Sequence, residues 1–476
     1  MGRGVQPLMV GAAGLQGARL ADASYYIGTA STIPPLARRP HSHYIRSGPS
    51  ARAEGYTIMN RMAKAALAGA VLAAVLLATS ASFADTAAAV TDALSITCAQ
   101  GKGDLEIAAC TSAILSGRLV GVNLAYAFNN RGNAYNDKGQ YARAIQDYDT
   151  AISLVPTDDV AFNGRGNAYN SEGQHARAIQ DFDAAISLNP AFANAFNGRG
   201  NAYYEEGQHA RAIQDYDTAI RLNPNLELAF NGRGNAYNDE GQHALAIQDF
   251  DTAIGLDSSD ALAFNGRGNA YNDEGQHALT IQDFDTAIRL DSNYANAYSN
   301  RGIAYTDEGQ YTRAIQDYDT AISLNPNFAT AFNNRGNTYD DEGQRARAIQ
   351  DFDTAIRLDS NYADAFYDRC RTRALGDLQL DVARADCDRS LQLGFNGADV
   401  LNVRGIINLR MGNFAAAISD CGAALALNPK IASSLYVRGI AKQKAGDAVG
   451  GETDIAAAKA LNPRIADAFA ALGVTP

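Results

Sequence analysis

From Ala125 onward, apolar, small and polar residues return to the same places every 34 residues. The unit is clearest over 125–158, AYAFNNRGNAYNDKGQYARAIQDYDTAISLVPTD. It recurs almost unchanged at Asp159, Ala193, Glu227, Ala261, Ala295 and Ala329, and more loosely near Ala363, Ala398 and Ala432. Each copy is numbered here 1 to 34 from its first residue. The first copy sets aromatics at 4, 11 and 24 (Phe128, Tyr135, Tyr148) and small residues at 8, 20 and 27 (Gly132, Ala144, Ala151). Positions 4, 8 and 11 share one helix face, as do 20, 24 and 27. Gly139 at 15 marks a turn between them, and Pro156 at 32 ends the second helix. The pattern predicts a helix, a tight turn and a helix per copy, with an apolar side that only neighbouring copies can bury. A fixed period of this length means stacked units rather than one globular core.

These residues resemble the tetratricopeptide repeat family, in an exported bacterial form. The match rests on Gly132, Tyr135, Ala144, Tyr148, Ala151 and Pro156 in the first copy and covers ten copies over 125–465, with one residue inserted in the eighth. The resemblance implies an all-α, right-handed superhelical solenoid of antiparallel helix pairs. There are two departures. The family's Trp at position 4 is Phe or Tyr in the first eight copies and Leu401 and Leu435 in the last two. Its Leu at position 7 is Arg in all ten, from Arg131 to Arg438. An Asp at position 23 also recurs in all ten, from Asp147 to Asp454. A charge in the seam between helices needs a partner. An Arg–Asp pair within a copy, or from one copy to the next, is the reading; the alternative is that both point to water.

The resemblance also implies a role for asparagine. Position 5 carries Asn129, Asn163, Asn197, Asn231, Asn265 and Asn333. Position 9 carries Asn133, Asn167, Asn201, Asn235, Asn269 and Asn337. The sixth copy has Ser299 and Ile303 instead. The two positions share one face of the first helix. In tetratricopeptide arrays that face lines the concave groove, where amides hold an extended peptide by its backbone; an amide offers donor and acceptor together. The bland alternative is that recent duplication carried Asn along. Position 2 varies (Tyr126, Val160, Asn194, Leu228), as a specificity position would.

Charge narrows the partners. The chain carries −12 overall; residues 1–58 hold +4 and 59–84 hold +2, which leaves −18 on 85–476. An acidic array poor in Lys is a poor nucleic-acid binder. Residues 1–58 have no helical or strand period and read as disordered or as a mis-called upstream extension. Residues 59–84 have a basic start, an apolar run and a Ser-Phe-Ala end, which is a signal peptide cleaved before Asp85. The rival is an uncleaved anchor; the Ala-rich run favours cleavage. The mature protein is then periplasmic or secreted, with no membrane contact. Residues 85–124 form capping helices, with Cys110 where the copies carry a ring, and 466–476 a last short helix and tail.

Export makes disulfides admissible. Cys98 and Cys110 close a loop across the cap. Cys370 and Cys387 occupy positions 8 and 24 of the eighth copy and face each other, and Cys421 is left over. The alternative is five free core thiols. His175, His209, His243 and His277 all sit at position 17, spread along the array rather than paired as metal ligands are. QDFD at 248–251 reads as the start of an exposed helix face. No catalytic constellation, cofactor motif or metal site appears, because most polar residues recur copy after copy. The function expected is a non-catalytic scaffold that binds a protein or peptide partner. The alternatives are a self-associating spacer and an accessory subunit of an enzyme complex.

Overall fold

The computed structural model describes residues 97–98, 101–376, 378–470 and 473–475. The expectations for 1–58 and 59–84 lie outside these residues. Among the described residues there are 22 helices and no strand, from α1 (Asp104–Leu115) to α22 (Ile465–Ala470). None is long and apolar enough to cross a membrane. The architecture is an all-α repeat array of helix pairs.

Each copy is one pair. In the fourth copy these are α8 (Glu227–Asp239) and α9 (His243–Leu256). The turn is made by glycine at position 15, with φ between 69° and 78° from Gly139 to Gly343, a left-handed conformation that costs glycine nothing. Gln242 N–H closes back on the Tyr237 carbonyl at 2.8 Å, which satisfies one of the last acceptors of the first helix. The second helix stops four residues later in phase each time, where Asp257 N–H bonds the Ala253 carbonyl.

The core is a stack of rings on glycine. Phe250, at position 24, is 1% exposed. A Cβ on Gly234, at position 8 of the same copy, would lie 3.0 Å from that ring, and one on Gly266, at position 6 of the next copy, 2.4 Å. The ring therefore lies against two bare helix backbones and joins copy to copy. Rings at positions 4 and 11 differ from expectation. Phe128 and Tyr135 are only half-buried: each packs against the core with one side and lies beside the position-7 arginine as well.

Among the described residues, α1 packs on the first helix of copy one. Cys110 is fully buried where copies carry the ring, and it is bonded to Cys98. Thr111 accepts from Arg131 Nη1 at 3.1 Å. Burial, with the Asp137 charge adding, pushes Glu106 from its ordinary 4.5 up to about 7. A carboxyl raised on folding favours the folded state below its unfolded pKa and loses that contribution as pH rises through its folded pKa. Cap stability should therefore fall between about pH 4.5 and 7. Hydrogen exchange of the α1 amides across that window should show it, and Glu106→Gln should flatten the profile. An unchanged slope in the variant would assign the dependence to another group.

Residues 396–475 form a separate compact unit. Its two helix pairs and α22 enclose Ile406, Ile440, Tyr436 and Phe469, the last two rings 5.2 Å apart. Cys421 lies free and buried there against Gly405. In the other unit, Cys370 and Cys387 are bonded in the space the ring fills elsewhere.

Candidate functional site

Among the described residues before 396, first helices of neighbouring copies touch one another, whereas second helices contact only first helices. Two ladders run along the stacked first helices of copies one to eight.

The first is ionic. From copy one to copy seven, position-7 arginine donates Nε and Nη2 to both oxygens of its own position-23 aspartate at 2.7–2.8 Å. From copy two to copy eight its Nη1 reaches the position-25 aspartate of the preceding copy at 2.5–2.6 Å. Arg233 therefore joins Asp249 in its own copy to Asp217 in the previous one. Its guanidinium carbon lies 5.6 Å and 5.8 Å from the ring centroids of Phe230 and Tyr237. The hydrogen bond with Asp249 holds Arg233 above its ordinary pKa. Burial pushes Asp249 up, against the pull of Arg233. The arginine pairs within a copy and between copies together, and the second partner is position 25 rather than 23. The two aspartates of QDFD are thus ladder members, not the start of a free surface.

The second ladder is amide. Position-5 asparagines are largely buried: Asn129, Asn197, Asn231, Asn265 and Asn333 are 3–8% exposed, and Asn163 is half-buried. Position 9 is more open, with Asn133 and Asn167 exposed and Asn201, Asn235 and Asn337 half-buried. Asn133 and Asn201 accept from the hydroxyls of Tyr148 and Tyr216 at 2.6 and 2.7 Å. Asn231 donates to Asp260. The Oδ1 atoms of Asn129, Asn163, Asn197, Asn231 and Asn333 are buried without a partner.

Two copies show what the amide pair can hold. Asn300, at position 6 of copy six, donates Nδ2 to Asn265 and to Asn269 of copy five, 3.1 Å each. Asp368, at position 6 of copy eight, accepts from Asn333 and Asn337 of copy seven at 2.9 and 2.8 Å. Burial raises the Asp368 carboxyl, with Arg371 and the two amides opposing. Positions 5 and 9 thus converge on one point. Position 6 of copies two to five is Gly164, Gly198, Gly232 or Gly266, which brings no side chain to the preceding copy's amide pair; Asn231 donates instead to Asp260 of its own copy. Asn269 is 8% exposed under Asn300, whereas Asn167 is open. Position 6 was not legible as a partner in the sequence. Its signal was the change from Gly in copies two to five to Asn300, Asn334 and Asp368 in copies six to eight.

The histidines at 17 lie beside the turns; His175 and His243 pair with Asn170 and Asn238 at 2.8 Å. Among the described residues no cluster of three or more His, Cys, Asp or Glu is placed to hold a metal.

Comparison with known proteins agrees with the repeat. Residues 132–171, 166–207, 200–239, 234–275, 268–309 and 303–343 match the family described as TPR repeat, and 329–362 match Tetratricopeptide repeat. No curated protein matches the chain. Among solved structures, a tetratricopeptide repeat protein from Parabacteroides merdae is 21% identical over 52% of this chain and 98% of its own, with a TM-score of 0.44. YrrB, described as a TPR protein with an unusual peptide-binding site, is 24% identical over 39% of this chain and 95% of its own, at 0.31. A monomeric mutant of IFIT1 with Gppp-AAAA is 14% identical over 78% of this chain and 90% of its own, at 0.52, and shares the fold. By its repeat matches and its helix-pair architecture, the chain belongs to the tetratricopeptide repeat family.

Proposed function

We propose that the chain is a non-catalytic interaction scaffold whose inner face binds an extended segment of a protein partner. Family membership supports an interaction scaffold in general. The observation that carries the finer reading is the amide pair at positions 5 and 9. It holds a side-chain amide in copy five and a carboxylate in copy seven, while in copies one to four the following copy has glycine in place of that occupant. A peptide backbone presents N–H and C=O groups of the same kind, and paired amides suit it. We also read 59–84 as a cleaved signal, which places the mature chain outside the cytoplasm; the two disulfides fit an oxidising compartment.

The test uses position 9, because position 5 is buried between copies. Asn167→Ala, Asn201→Ala and Asn235→Ala together should leave the helical circular dichroism unchanged, since alanine is the better helix former. Crosslinking in the native host identifies the captured protein. The triple variant should lose at least about tenfold in affinity for it, with each lost hydrogen bond worth roughly 0.5–1.5 kcal/mol. Undiminished capture by the folded variant would leave these asparagines as relics of duplication.

A further inference from the structure

We infer that the amide pairs of copies one to four take one kind of occupant, an extended segment of roughly eight residues with apolar side chains, and that Asn300 ends its run. This rests on the peptide-binding reading above and adds the segment's length, its side-chain chemistry and its stop.

The pair of copy five is shut from within the chain. Asn300, 1% exposed, gives its Nδ2 to both Asn265 and Asn269. Copy six has Ser299 and Ile303 in place of the amides, and Asp368 takes the pair of copy seven. From copy five to copy seven, therefore, no amide pair is left for a partner. Copies one to four differ, because the next copy brings only glycine, at 164, 198, 232 and 266. Oδ1 of Asn129, Asn197 and Asn231 is buried there without a hydrogen-bond partner, on residues more than nine-tenths buried. Asn231 keeps that open acceptor although its Nδ2 is given to Asp260. At position 9, Asn133 and Asn201 have Oδ1 taken by a tyrosine hydroxyl, which turns each Nδ2 to donation. The pair thus offers an acceptor at 5 and a donor at 9, the complement of a peptide group. A buried acceptor left unmade is costly, and an incoming N–H recovers that cost.

Packed helices lie about 8–10 Å apart, so four pairs span about 24–30 Å, which an extended chain covers in roughly eight residues. Position 2 lies three residues before 5 and four before 6, on the same helix face. Tyr126, Val160, Leu228 and Leu262 stand there, 45–55% exposed, with Asn194 in copy three. Exposed apolar side chains beside buried backbone-type acceptors match a segment that brings N–H groups and apolar side chains together.

The test uses the whole chain and fluorescein-labelled peptides of repeated Leu-Ser-Ser, about six, nine and twelve residues long, with binding read by fluorescence anisotropy. In the native chain the nine-residue peptide should bind about threefold or more tighter than the six-residue one. The twelve-residue peptide should bind within about twofold of the nine-residue one, because the strip has ended. Asn300→Gly gives copy six the residue that copies two to five carry and opens the pair of copy five. The twelve-residue peptide should then gain about two- to tenfold over the nine-residue one. Asn334→Gly, at the same position of copy seven but following a copy without amides, should leave the native pattern unchanged. If circular dichroism shows that Asn300→Gly loses helix, Asn300→Ala keeps the Cβ, removes the amide and carries the same expectation. N-methylation of the peptide nitrogens, or alanine in place of leucine, should each weaken nine-residue binding about tenfold or more. Affinity that keeps rising to the longest peptide in the native chain, or equal gains from the two glycine substitutions, would overturn Asn300 as the stop and leave the reading of the pairs standing. Undiminished binding of the N-methylated or alanine peptide would overturn the chemistry assigned to the segment. Failure of every peptide to bind would overturn the inference as a whole; capture of the native partner by the position-9 triple variant reports separately on the reading beneath it.

Discussion

Replacing Arg233 with alanine is expected to destabilise the array by about 3–5 kcal/mol, the cost of breaking a buried ion pair from one side. Asp249, whose side chain is 8% exposed, would keep its charge and lose both of its N–H donors. The rings of Phe230 and Tyr237 would lose the cation between them. Asp217→Ala removes the third partner instead. That carboxylate is half-exposed, so its loss should cost under about 1 kcal/mol. The pair as a whole is another matter. Burial already pushes Asp249 above its ordinary pKa despite the arginine, so desolvation takes back much of what the pairing gives. Arg233→Met combined with Asp249→Leu should therefore recover most of the stability lost in Arg233→Ala. Urea titrations of the four proteins decide the matter. Equal losses for Arg233→Ala and Asp217→Ala would mean that Asp249 is effectively solvated. A double variant as unstable as the single would mean that the pair itself is a net source of stability.

The parts of this architecture that were legible in the sequence are those set by period. A 34-residue step with glycine at 15 specifies the helix, turn and helix of every copy but the eighth, and the recurring small residues specify a tight stack. The disulfides were legible from place: Cys110 stands at a ring position, and Cys370 and Cys387 stand at glycine and ring positions that touch in other copies. What stayed hidden depends on the offset between neighbouring copies, which a period does not state. Asp149 and its counterparts at 25 looked like solvent-facing helix residues, because only stacking brings them to the arginine of the next copy. For the same reason position 5 looked exposed. On an isolated first helix Asn265 would face water; in the stack Asn300 of the next copy covers it. The rings at 4 and 11 held a second role that the sequence did not show: besides packing on the core they flank the arginine.

The ring-on-glycine stack makes a prediction in which one substitution changes sign with its background. Phe250→Ala should cost about 3–5 kcal/mol, the usual loss for emptying a buried phenylalanine site, since the ring is 1% exposed and bounded by bare backbone at Gly234 and Gly266. By helix propensity alone, Gly266→Ala should stabilise by up to about 1 kcal/mol. In the native protein it should do the reverse. The new Cβ would sit 2.4 Å from the Phe250 ring, so ring or helix must shift, and overpacking of this kind costs about 1–3 kcal/mol. With Phe250 already replaced by alanine, that obstacle is gone. The propensity gain then remains, and the added methyl fills part of the cavity. Gly266→Ala should thus destabilise the native protein and stabilise Phe250→Ala, a coupling that a double-mutant cycle reads directly. The same sign in both backgrounds would show that the ring has room to move, and that glycine at position 6 is kept for the open point between the amides rather than for the core.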